Sequence, residues 1–423
     1  MVGSRVMPPI GVGVAAISVA AGGHVTGEGR RSLELVPRFS GQEYDPVSVE
    51  KRRAWVEEKT GARLSHVGAH SIPSASMRGN VENAVGAAQV PLGVAGPLLV
   101  LGEHAQGTYY VPLATTEGAL VRSYERGMAA LTRAGGASAR LLVDENRVAP
   151  IFTFDDLPAA VAFARRLPQL IEPLRAQAES TTRHGRLLRV EPRPVGRRVI
   201  VDFCYSTGDA HGMNMIVKAT DHACRWLVAE GLAASYHVFS GHSSEKRASG
   251  ALLRGGKGKH VSAWARLPRA VVRAVLGTTP EELADVWRNT VLGHLQAGTL
   301  GFNAHYANGL TAIFIACGQD VANVANSAVG ITHLEALDGG LDASVTLPSL
   351  SVATVGGGTA QGTARECLEL MGCFGDGAAP RLAEVVAAAL LSGELSMAAA
   401  IASGEFVAAH ETYGRNRPEP AGA

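Results

Sequence analysis

Residues 303–316 form a segment that is apolar around almost its whole circumference when it is drawn as a helix. A helix with one apolar stripe can lie on a protein surface, whereas a helix that is apolar all round is buried among other elements. We therefore expect a large domain built around a central buried helix. The chain has 423 residues, which is more than one hydrophobic core usually supports, so a second domain is also expected.

Strand and helix patterns alternate along much of the chain. Residues 47–58 predict an amphipathic helix, 108–114 a strand and 119–131 a second helix. From 149 to 238 the alternation continues over a length typical of a small inserted α+β domain. The predicted fold class is α+β, and the predicted parts are a loosely ordered leader (1–45), a discontinuous large domain (46–148 and 250–416), the inserted domain (149–238), a loop that contains Lys246 (239–249) and a tail (417–423).

The C-terminal half contains further boundary signals. Thr279-Pro280-Glu281-Glu282 combines an N-cap, a proline and two acids, so a helix is expected to begin there and to end at Gly298. Residues 345–355 alternate as a strand, and 379–410 predict two closing helices. These elements would complete the large domain.

The charge balance indicates a small-molecule partner. With 39 basic and 38 acidic residues the formal net charge is +1, so no overall field favours nucleic acid or an anionic membrane. The five cysteines form no CxxC pair, which argues against a zinc site or a disulfide framework and favours a reducing, cytoplasmic location. The apolar run at 10–21 is too short to cross a bilayer and no other run reaches eighteen residues, so a soluble chain without a membrane span is predicted.

Glycine clusters are candidates for binding a phosphate-containing cofactor. No GxGxxG lies between a strand and a helix, so a Rossmann site is not indicated. Residues 208–214 and 356–358 can bring backbone amides close to phosphate, although tight turns or close packing explain the same glycines. Residues 254–259 resemble a phosphate loop only superficially, and we expect them to form a basic turn in solvent.

Four ionisable residues stand at positions that suit catalysis. Glu117 follows a predicted strand, Lys246 lies in a flexible loop, Asp320 follows the apolar segment and His410 lies in an alanine-rich stretch. Each has a simpler structural explanation, namely a turn, a surface salt bridge, a helix cap and a hydrogen-bonded core histidine. Individually these residues therefore do not identify a function.

Taken in order, the motifs resemble the hydroxymethylglutaryl-CoA reductase family. The resemblance extends over about residues 60–416, and the order of so many motifs makes it specific. The forms TTEG and DAHGMNM are similar to those of the NADPH-using class that includes the eukaryotic enzymes, here in a soluble form. The matching segments are ENAVG (82–86), PLGVAGPL (91–98), TTEG (115–118), DAHGMNM (209–215), GFNAHYAN (301–308), GQD (318–320), TVGGGT (354–359) and AAHETYGR (408–415).

This resemblance implies both an architecture and a reaction. The inserted domain would be ferredoxin-like and would bind the nucleotide, and active sites would form between the subunits of a homo-oligomer. The reaction would be the four-electron reduction of (S)-3-hydroxy-3-methylglutaryl-CoA to mevalonate, which supplies isoprenoid precursors. It would consume NADPH, release coenzyme A and require no metal.

The resemblance also assigns roles to individual residues. Lys246 would oppose the developing oxyanion between the acids Glu117 and Asp320, and His410 would protonate the departing thiolate. Positions matching the substrate site are Arg147, Ser240, Glu245, Arg247, Arg288, His305 and Asn308. Positions matching the nucleotide site are Thr182, Arg183, Asp209, Gly212, Met213, Asn214, Val355, Gly356, Gly357 and Gly358.

Several positions depart from the family pattern. They concern substrate carboxylate binding and the cofactor turn more than the four catalytic residue types. A reductase of a related acyl thioester in a specialised pathway and a non-catalytic binder of CoA or nucleotide therefore stay open as alternatives. The departures are Arg288 for lysine, His242 for asparagine, His211 for methionine, Ala409 for serine, Gly414 for asparagine, and Glu245-Lys246-Arg247 for Asp-Lys-Lys.

Overall fold

The structure is a computed structural model that describes residues 35–405. Most of the expected leader and the tail at 417–423 lie outside the described residues. The same holds for His410, Ala409 and Gly414.

The described chain is a mixed structure of helices and strands, which confirms the α+β fold class. The strands are β1 Leu92–Gly102, β2 Gln106–Ala114, β3 Ala137–Val148, β4 Ile151–Thr153, β5 Arg186–Val195, β6 Arg198–Ser206, β7 Ser235–His237, β8 Gly258–Pro268, β9 Ile331–Leu337 and β10 Gly340–Leu350. The α-helices are α1 Pro46–Thr60, α2 Ser65–Gly68, α3 Leu120–Arg133, α4 Leu157–Arg166, α5 Ile171–Glu179, α6 Met213–Ala229, α7 Arg269–Val271, α8 Pro280–Ala297, α9 Tyr306–Ala316, α10 Val324–Ser327, α11 Gly362–Leu370 and α12 Ala379–Ala402.

The larger sheet has the strand order β2-β1-β3-β8-β10-β9. Helix α12 packs against β3, β8 and β10 and also against α3 and α9. Its inner residues, from Leu382 to Leu395, are almost all fully buried. The central helix of the large domain is therefore α12, and the prediction for 303–316 was wrong on this point. Helix α9 is buried as expected, but it is short and lies beside α12.

The inserted region has its own sheet and its own core. Its elements follow the order β4-α4-α5-β5-β6-α6-β7, and its strands lie in the order β7-β4-β6-β5. This β-α-β-β-α-β arrangement is ferredoxin-like. A second hydrophobic cluster, which includes Phe152, Phe203 and Leu227, fills it. The end of β3 pairs with β6, so one strand belongs to both sheets.

Helix α8 shows how local sequence sets an element boundary. The Thr279 side chain accepts the amide N–H of Glu282, and the Glu282 side chain accepts that of Thr279, which forms a complete capping box. At the other end Gly298 adopts the left-handed conformation that ends a helix. Both predicted ends of this helix are confirmed.

Two other predictions need correction, and a third lies partly outside the described residues. The predicted strand at 345–355 is β10, which begins at Gly340 because it pairs there with β8 and β9 and ends at Leu350. Of the two closing helices predicted over 379–410, the first is α12, Ala379–Ala402, and residues 406–410 lie outside the described residues. The basic turn at 254–259 is not in solvent, because Lys257 is 0% and Lys259 2% exposed where the chain enters β8.

Helix α12 is long and apolar enough to cross a membrane by length and composition. However, 83% of its apolar window is buried inside the protein. The same composition is expected of a helix that is surrounded by strands and other helices. Its apolar character is therefore explained by its place in the core.

Candidate active site

Lys246 lies in the loop between β7 and β8, and its side chain forms an ion pair with Asp320. The Lys246 ammonium lies 2.7 Å from Oδ2 of Asp320, and each side chain is about half exposed (45% and 47%). Lys246 has a φ of 54°, a conformation that is uncommon for a residue with a side chain. The Asp320 carboxylate also accepts the amide N–H of Ala322, so it caps the short helix that follows. The salt bridge and the cap considered from sequence are both present, and they bring two expected catalytic residues together.

The glycine motifs expected for the nucleotide meet each other. The backbone carbonyl of Asp209 accepts the amide N–H groups of Thr354 (2.9 Å) and Val355 (3.3 Å). Its carboxylate accepts those of Gly377 and Ala379, at 2.7 and 3.0 Å. The turn before α6, called here the nucleotide turn (209–214), therefore lies directly against residues 354–358.

The glycine loop also contacts the GQD segment. A Cβ on Gly318 would overlap the carbonyl group of Gly358, and one on Gly358 would lie 2.7 Å from the Gly318 carbonyl oxygen. Only glycine permits the two backbones to pack this closely. This contact places the loop that carries Asp320 beside the glycine loop and the nucleotide turn.

His211 lies in the nucleotide turn, and its carbonyl oxygen accepts a hydrogen bond of 2.9 Å from Nδ2 of Asn146. Burial lowers the pKa of its imidazole to about 4. The Glu245 and Asp320 carboxylates oppose this shift, and the Lys257 and Lys246 ammonium groups add to it. The imidazole is therefore neutral near pH 7. Its Nε2 atom is buried and has no hydrogen-bond partner among the described residues.

Glu117 lies in a different group. It follows β2 in the turn before α3, and its carboxylate accepts a hydrogen bond of 3.2 Å from Nδ2 of Asn308. Asn308 belongs to the first turn of α9, whose N-terminus is held by the buried Glu394. The Glu394 carboxylate accepts the amide N–H groups of Ala304 and His305, at 2.8 and 2.9 Å.

The two groups stand at opposite ends of α9. Asn308 is in the first turn and Asp320 follows the last, and the eight residue steps from Asn308 to Ala316 correspond to about 12 Å of helix. No hydrogen bond or ion pair joins Lys246 to Glu117 in the described part of the chain. The expected arrangement, with Lys246 between Glu117 and Asp320, is thus not formed within one chain and stays a prediction.

The other expected substrate residues differ in whether their polar side-chain atoms have hydrogen-bond partners. Arg147 is only 9% exposed, and its Nε and Nη2 atoms have no hydrogen-bond partner among the described residues. Ser240 donates to the carbonyl oxygen of Ala149 at 2.7 Å. The His305 imidazole is buried, with Nε2 at 3.0 Å from the Gly393 carbonyl oxygen.

Two arginines remain at the surface. Arg247 donates to the carbonyl oxygen of Glu245 at 3.2 Å. Arg288 is exposed on α8 and pairs with Asp285 at 3.0 Å, so the described chain does not bring it to either group. Its predicted role in substrate binding stays a prediction.

The residues expected at the adenosine phosphate form an accessible turn. The Thr182 hydroxyl accepts the amide N–H groups of His184 and Gly185, at 3.2 and 3.1 Å. The neighbouring Arg183 is exposed. An exposed guanidinium beside an ordered turn suits a phosphate group.

Sequence reasoning missed the role of Lys257. Its ammonium forms an ion pair with Glu245 and donates to Oδ1 of Asn146 (2.8 Å) and Sδ of Met213 (3.0 Å). Burial lowers its pKa, and the adjacent Glu245 carboxylate opposes that shift. The local sequence is a lysine among glycines, which is also typical of turns in solvent. Only its contacts with residues elsewhere in the chain show that Lys257 is buried.

These features define an α+β protein in which a lysine–carboxylate pair lies near a glycine-rich turn at the start of a helix. The model of the hydroxymethylglutaryl-coenzyme A reductase family matches residues 48–415. The chain belongs to this family.

Curated relatives support the assignment over most of the chain. The 3-hydroxy-3-methylglutaryl-coenzyme A reductase of Methanocaldococcus jannaschii is 43% identical over 377 residues, which are 87% of this chain and 93% of that protein. That of Methanothermobacter thermautotrophicus is 43% identical over 393 residues, or 92% and 98% of the two chains. That of Schizosaccharomyces pombe is 39% identical over 350 residues, which cover 79% of this chain but only 33% of the yeast protein.

Solved structures show the same fold. The 3-hydroxy-3-methylglutaryl-coenzyme A reductase of Streptococcus pneumoniae superposes with a TM-score of 0.65 at 17% identity, covering 83% of this chain and 96% of that chain. A class II reductase structure from the same organism, described as bound to NADPH in open conformations, gives a TM-score of 0.64 at 18% identity. At such low identity the likeness concerns the fold alone.

Proposed function

We propose that this protein reduces (S)-3-hydroxy-3-methylglutaryl-CoA to mevalonate and coenzyme A with two molecules of NADPH. The observation that carries the proposal is the close contact of the glycine loop, at Gly358, with the GQD segment, at Gly318, whose Asp320 pairs with Lys246 at 2.7 Å. This contact supports a hydride donor held close to the expected oxyanion-stabilising cation. Family membership and the named relatives support the reaction itself.

The nucleotide turn and the glycine loop fit a dinucleotide. Positions 208, 356 and 357 are glycines with positive φ, and a Cβ at any of them would meet nothing within 4 Å. This open backbone can approach a pyrophosphate closely. We propose that residues 149–238 hold the nucleotide with Arg183 at its phosphate, and NADPH would supply the hydride in each reduction.

Lys246 performs the electrostatic part of the chemistry. Each reduction of a carbonyl group generates negative charge on oxygen, and an ammonium placed beforehand stabilises that charge most strongly where water is excluded. Asp320 holds the ammonium in place, and Glu117 is the proton source for the second reduction. His410 would protonate the CoA thiolate as it departs.

Arg147 supports binding of an anionic acyl group. A buried guanidinium with two unpartnered nitrogen atoms is unusual, because buried polar groups nearly always have hydrogen-bond partners. The carboxylate of the hydroxymethylglutaryl group would satisfy both atoms in the bidentate geometry that suits arginine. We propose that Ser240 and Arg247 line the same pocket.

The separation of the two groups supports assembly into a homo-oligomer. Lys246 and Asp320 are half exposed, and Glu117 and Asn308 lie at the far end of α9. In a symmetric dimer the Glu117 end of one chain would meet the Lys246 end of its partner. We propose that the complete active site forms between two such chains, and that the protein acts in the cytoplasm.

Stoichiometry tests the proposed reaction. We expect two NADPH to be oxidised for each mevalonate formed, and NADPH to support turnover better than NADH. A ratio of one, with an aldehyde product accumulating, would refute the four-electron reaction. Faster reduction of another acyl thioester in the same assay would indicate a different substrate, and binding of CoA and NADPH without any CoA release would indicate a non-catalytic protein.

A further inference from the structure

Lys257 is a fully buried cation that connects three separate segments. It precedes β8, and its exposed fraction is 0%. The ammonium forms an ion pair with the Glu245 carboxylate and donates hydrogen bonds to the Asn146 side-chain oxygen and the Met213 sulfur. Removal of an ammonium from water is costly unless such partners are held in place. The three segments are therefore fixed relative to one another around Lys257.

The first connection leads to the catalytic loop. Glu245 directly precedes Lys246, and its side chain is mostly buried (13% exposed) because it pairs with Lys257. Ser244 and Lys246 on either side have positive φ values of 57° and 54°. A backbone of this kind persists only where the surrounding contacts determine it. The Glu245–Lys257 pair is the buried contact that holds this part of the loop.

The second connection leads to the nucleotide turn. Met213 begins α6, and Asn146 links Lys257 to the turn because its Nδ2 donates to the His211 carbonyl oxygen at 2.9 Å. Asn146 also accepts the amide N–H of the adjacent Arg147 at 2.9 Å. The same ammonium therefore contacts Glu245, in the loop before Lys246, and Met213, and it is linked to His211 through Asn146.

We propose that Lys257 is a positioning residue that holds the Lys246 loop in register with the nucleotide turn. It does not touch the reacting atoms, and it acts through Glu245 on one side and through Asn146 and Met213 on the other. This inference rests on the proposed function, because it concerns the alignment of the hydride donor with the oxyanion-stabilising cation. A misplacement of about 1 Å in such an alignment can reduce turnover by about 10²-fold.

Lys257→Met tests the proposal, with Lys259→Met as the matched control. Lys259 is 2% exposed and follows two residues later, but it pairs with Asp144 at 2.6 Å rather than with the catalytic loop. In the full-length protein we expect Lys257→Met to lower kcat by about 10²-fold and to weaken NADPH binding several-fold. Lys259→Met should keep kcat within about threefold of the unsubstituted protein, although both variants lose a buried ion pair. Thermal unfolding, kcat, KM and the fluorescence-measured Kd for NADPH would be recorded for each.

A double variant separates positioning from charge balance. Lys257→Met leaves the Glu245 carboxylate buried without a cation. Lys257→Met combined with Glu245→Gln removes both charges, so this double variant can be measured instead if the single variant does not fold. We expect the double variant to fold and to retain the loss in kcat. Recovery of kcat in the double variant would overturn the proposal, because charge balance alone would then explain the pair. Equal losses in Lys257→Met and Lys259→Met would also overturn it, whereas an unsubstituted protein inactive on hydroxymethylglutaryl-CoA would contradict the proposed function instead.

Discussion

His211 is one of several residues at which this chain departs from the family pattern. Its imidazole lies in the nucleotide turn, and burial keeps its pKa at about 4, below the ordinary value of 6.5. A methionine was expected at this position. The substitution introduces a group whose protonation state depends on folding.

The lowered pKa predicts a pH-dependent stability. Between pH 6.5 and about 4 the unfolded chain binds a proton at His211 that the folded chain does not, so the free energy of unfolding decreases as the pH falls through this range. A shift of this size corresponds to at most about 3 kcal/mol. Urea denaturation at pH 7 and pH 4.5 should show a smaller decrease for His211→Met than for the unsubstituted protein. Equal decreases in the two proteins would show that His211 does not contribute.

Lys246 and Asp320 show why single residues were ambiguous in the sequence. Both structural explanations considered for them are true, since they form a salt bridge and Asp320 caps a helix. A residue can satisfy a local structural requirement and also stand in a site. Only the neighbourhood of His211 and the glycine loop distinguishes the two possibilities, and that neighbourhood comes from distant parts of the chain.

At the scale of elements, the crossing of α3 and α12 determines how closely the core packs. Gly127 of α3 faces Ser392 of α12, and a Cβ on Gly127 would overlap the Ser392 carbonyl group. By contrast, Gly293 lies on the exposed side of α8, where a Cβ would meet nothing within 4 Å. Close helix packing therefore requires a glycine at 127, whereas no packing contact requires one at 293.

Alanine substitutions at these two glycines should have opposite effects on stability. Gly127→Ala should destabilise the protein by about 3 kcal/mol, because two well-packed helices must separate. Gly293→Ala should stabilise it by about 0.5–1 kcal/mol, because alanine favours a helix more than glycine does. Thermal unfolding of the two variants measures both effects. A Gly127→Ala variant as stable as Gly293→Ala would contradict the described helix crossing.

Local sequence predicted some element boundaries and failed at others. The ends of α8 were predictable because a capping box and a left-handed glycine act within a few residues of the boundary. The start of β10 was not, because it depends on pairing with β8 and β9 rather than on residues nearby. The burial of Lys257 and Lys259 likewise depends on Glu245 and Asp144, which lie outside their own segment.

At the scale of the whole molecule, the two groups of site residues predict complementation between chains. A Glu117→Gln chain lacks one group and a Lys246→Ala chain lacks the other, so each alone should be inactive. Mixed dimers formed by unfolding and refolding the two together would contain one site with both groups intact. In random mixing about half of the dimers are mixed, which gives about a quarter of the activity of the unsubstituted protein.

The control for this experiment is each variant refolded with itself. Both controls should stay inactive, and size-exclusion chromatography should show the same assembly in every sample. If the mixture also stays inactive while mixed dimers are present, the complete site does not form between chains in the proposed way.

The sequence alone determined the family and the α+β fold class, and it predicted the residues of the site. Motif order and residue type are properties of the chain itself, and the family model and the relatives agree with them. Periodicity also indicated the inserted region, because its strands and helices are contiguous in sequence.

Only the tertiary structure decided which of these residues meet. It made α12 rather than the segment at 303–316 the central helix, placed Lys246 on Asp320 and left Glu117 with Asn308 at the other end of α9. It also converted an apparent basic turn into a buried ammonium that joins the catalytic loop to the nucleotide turn. The physical reason is that burial and ion pairing depend on groups far apart in sequence, whereas propensity and motifs report only on neighbours along the chain.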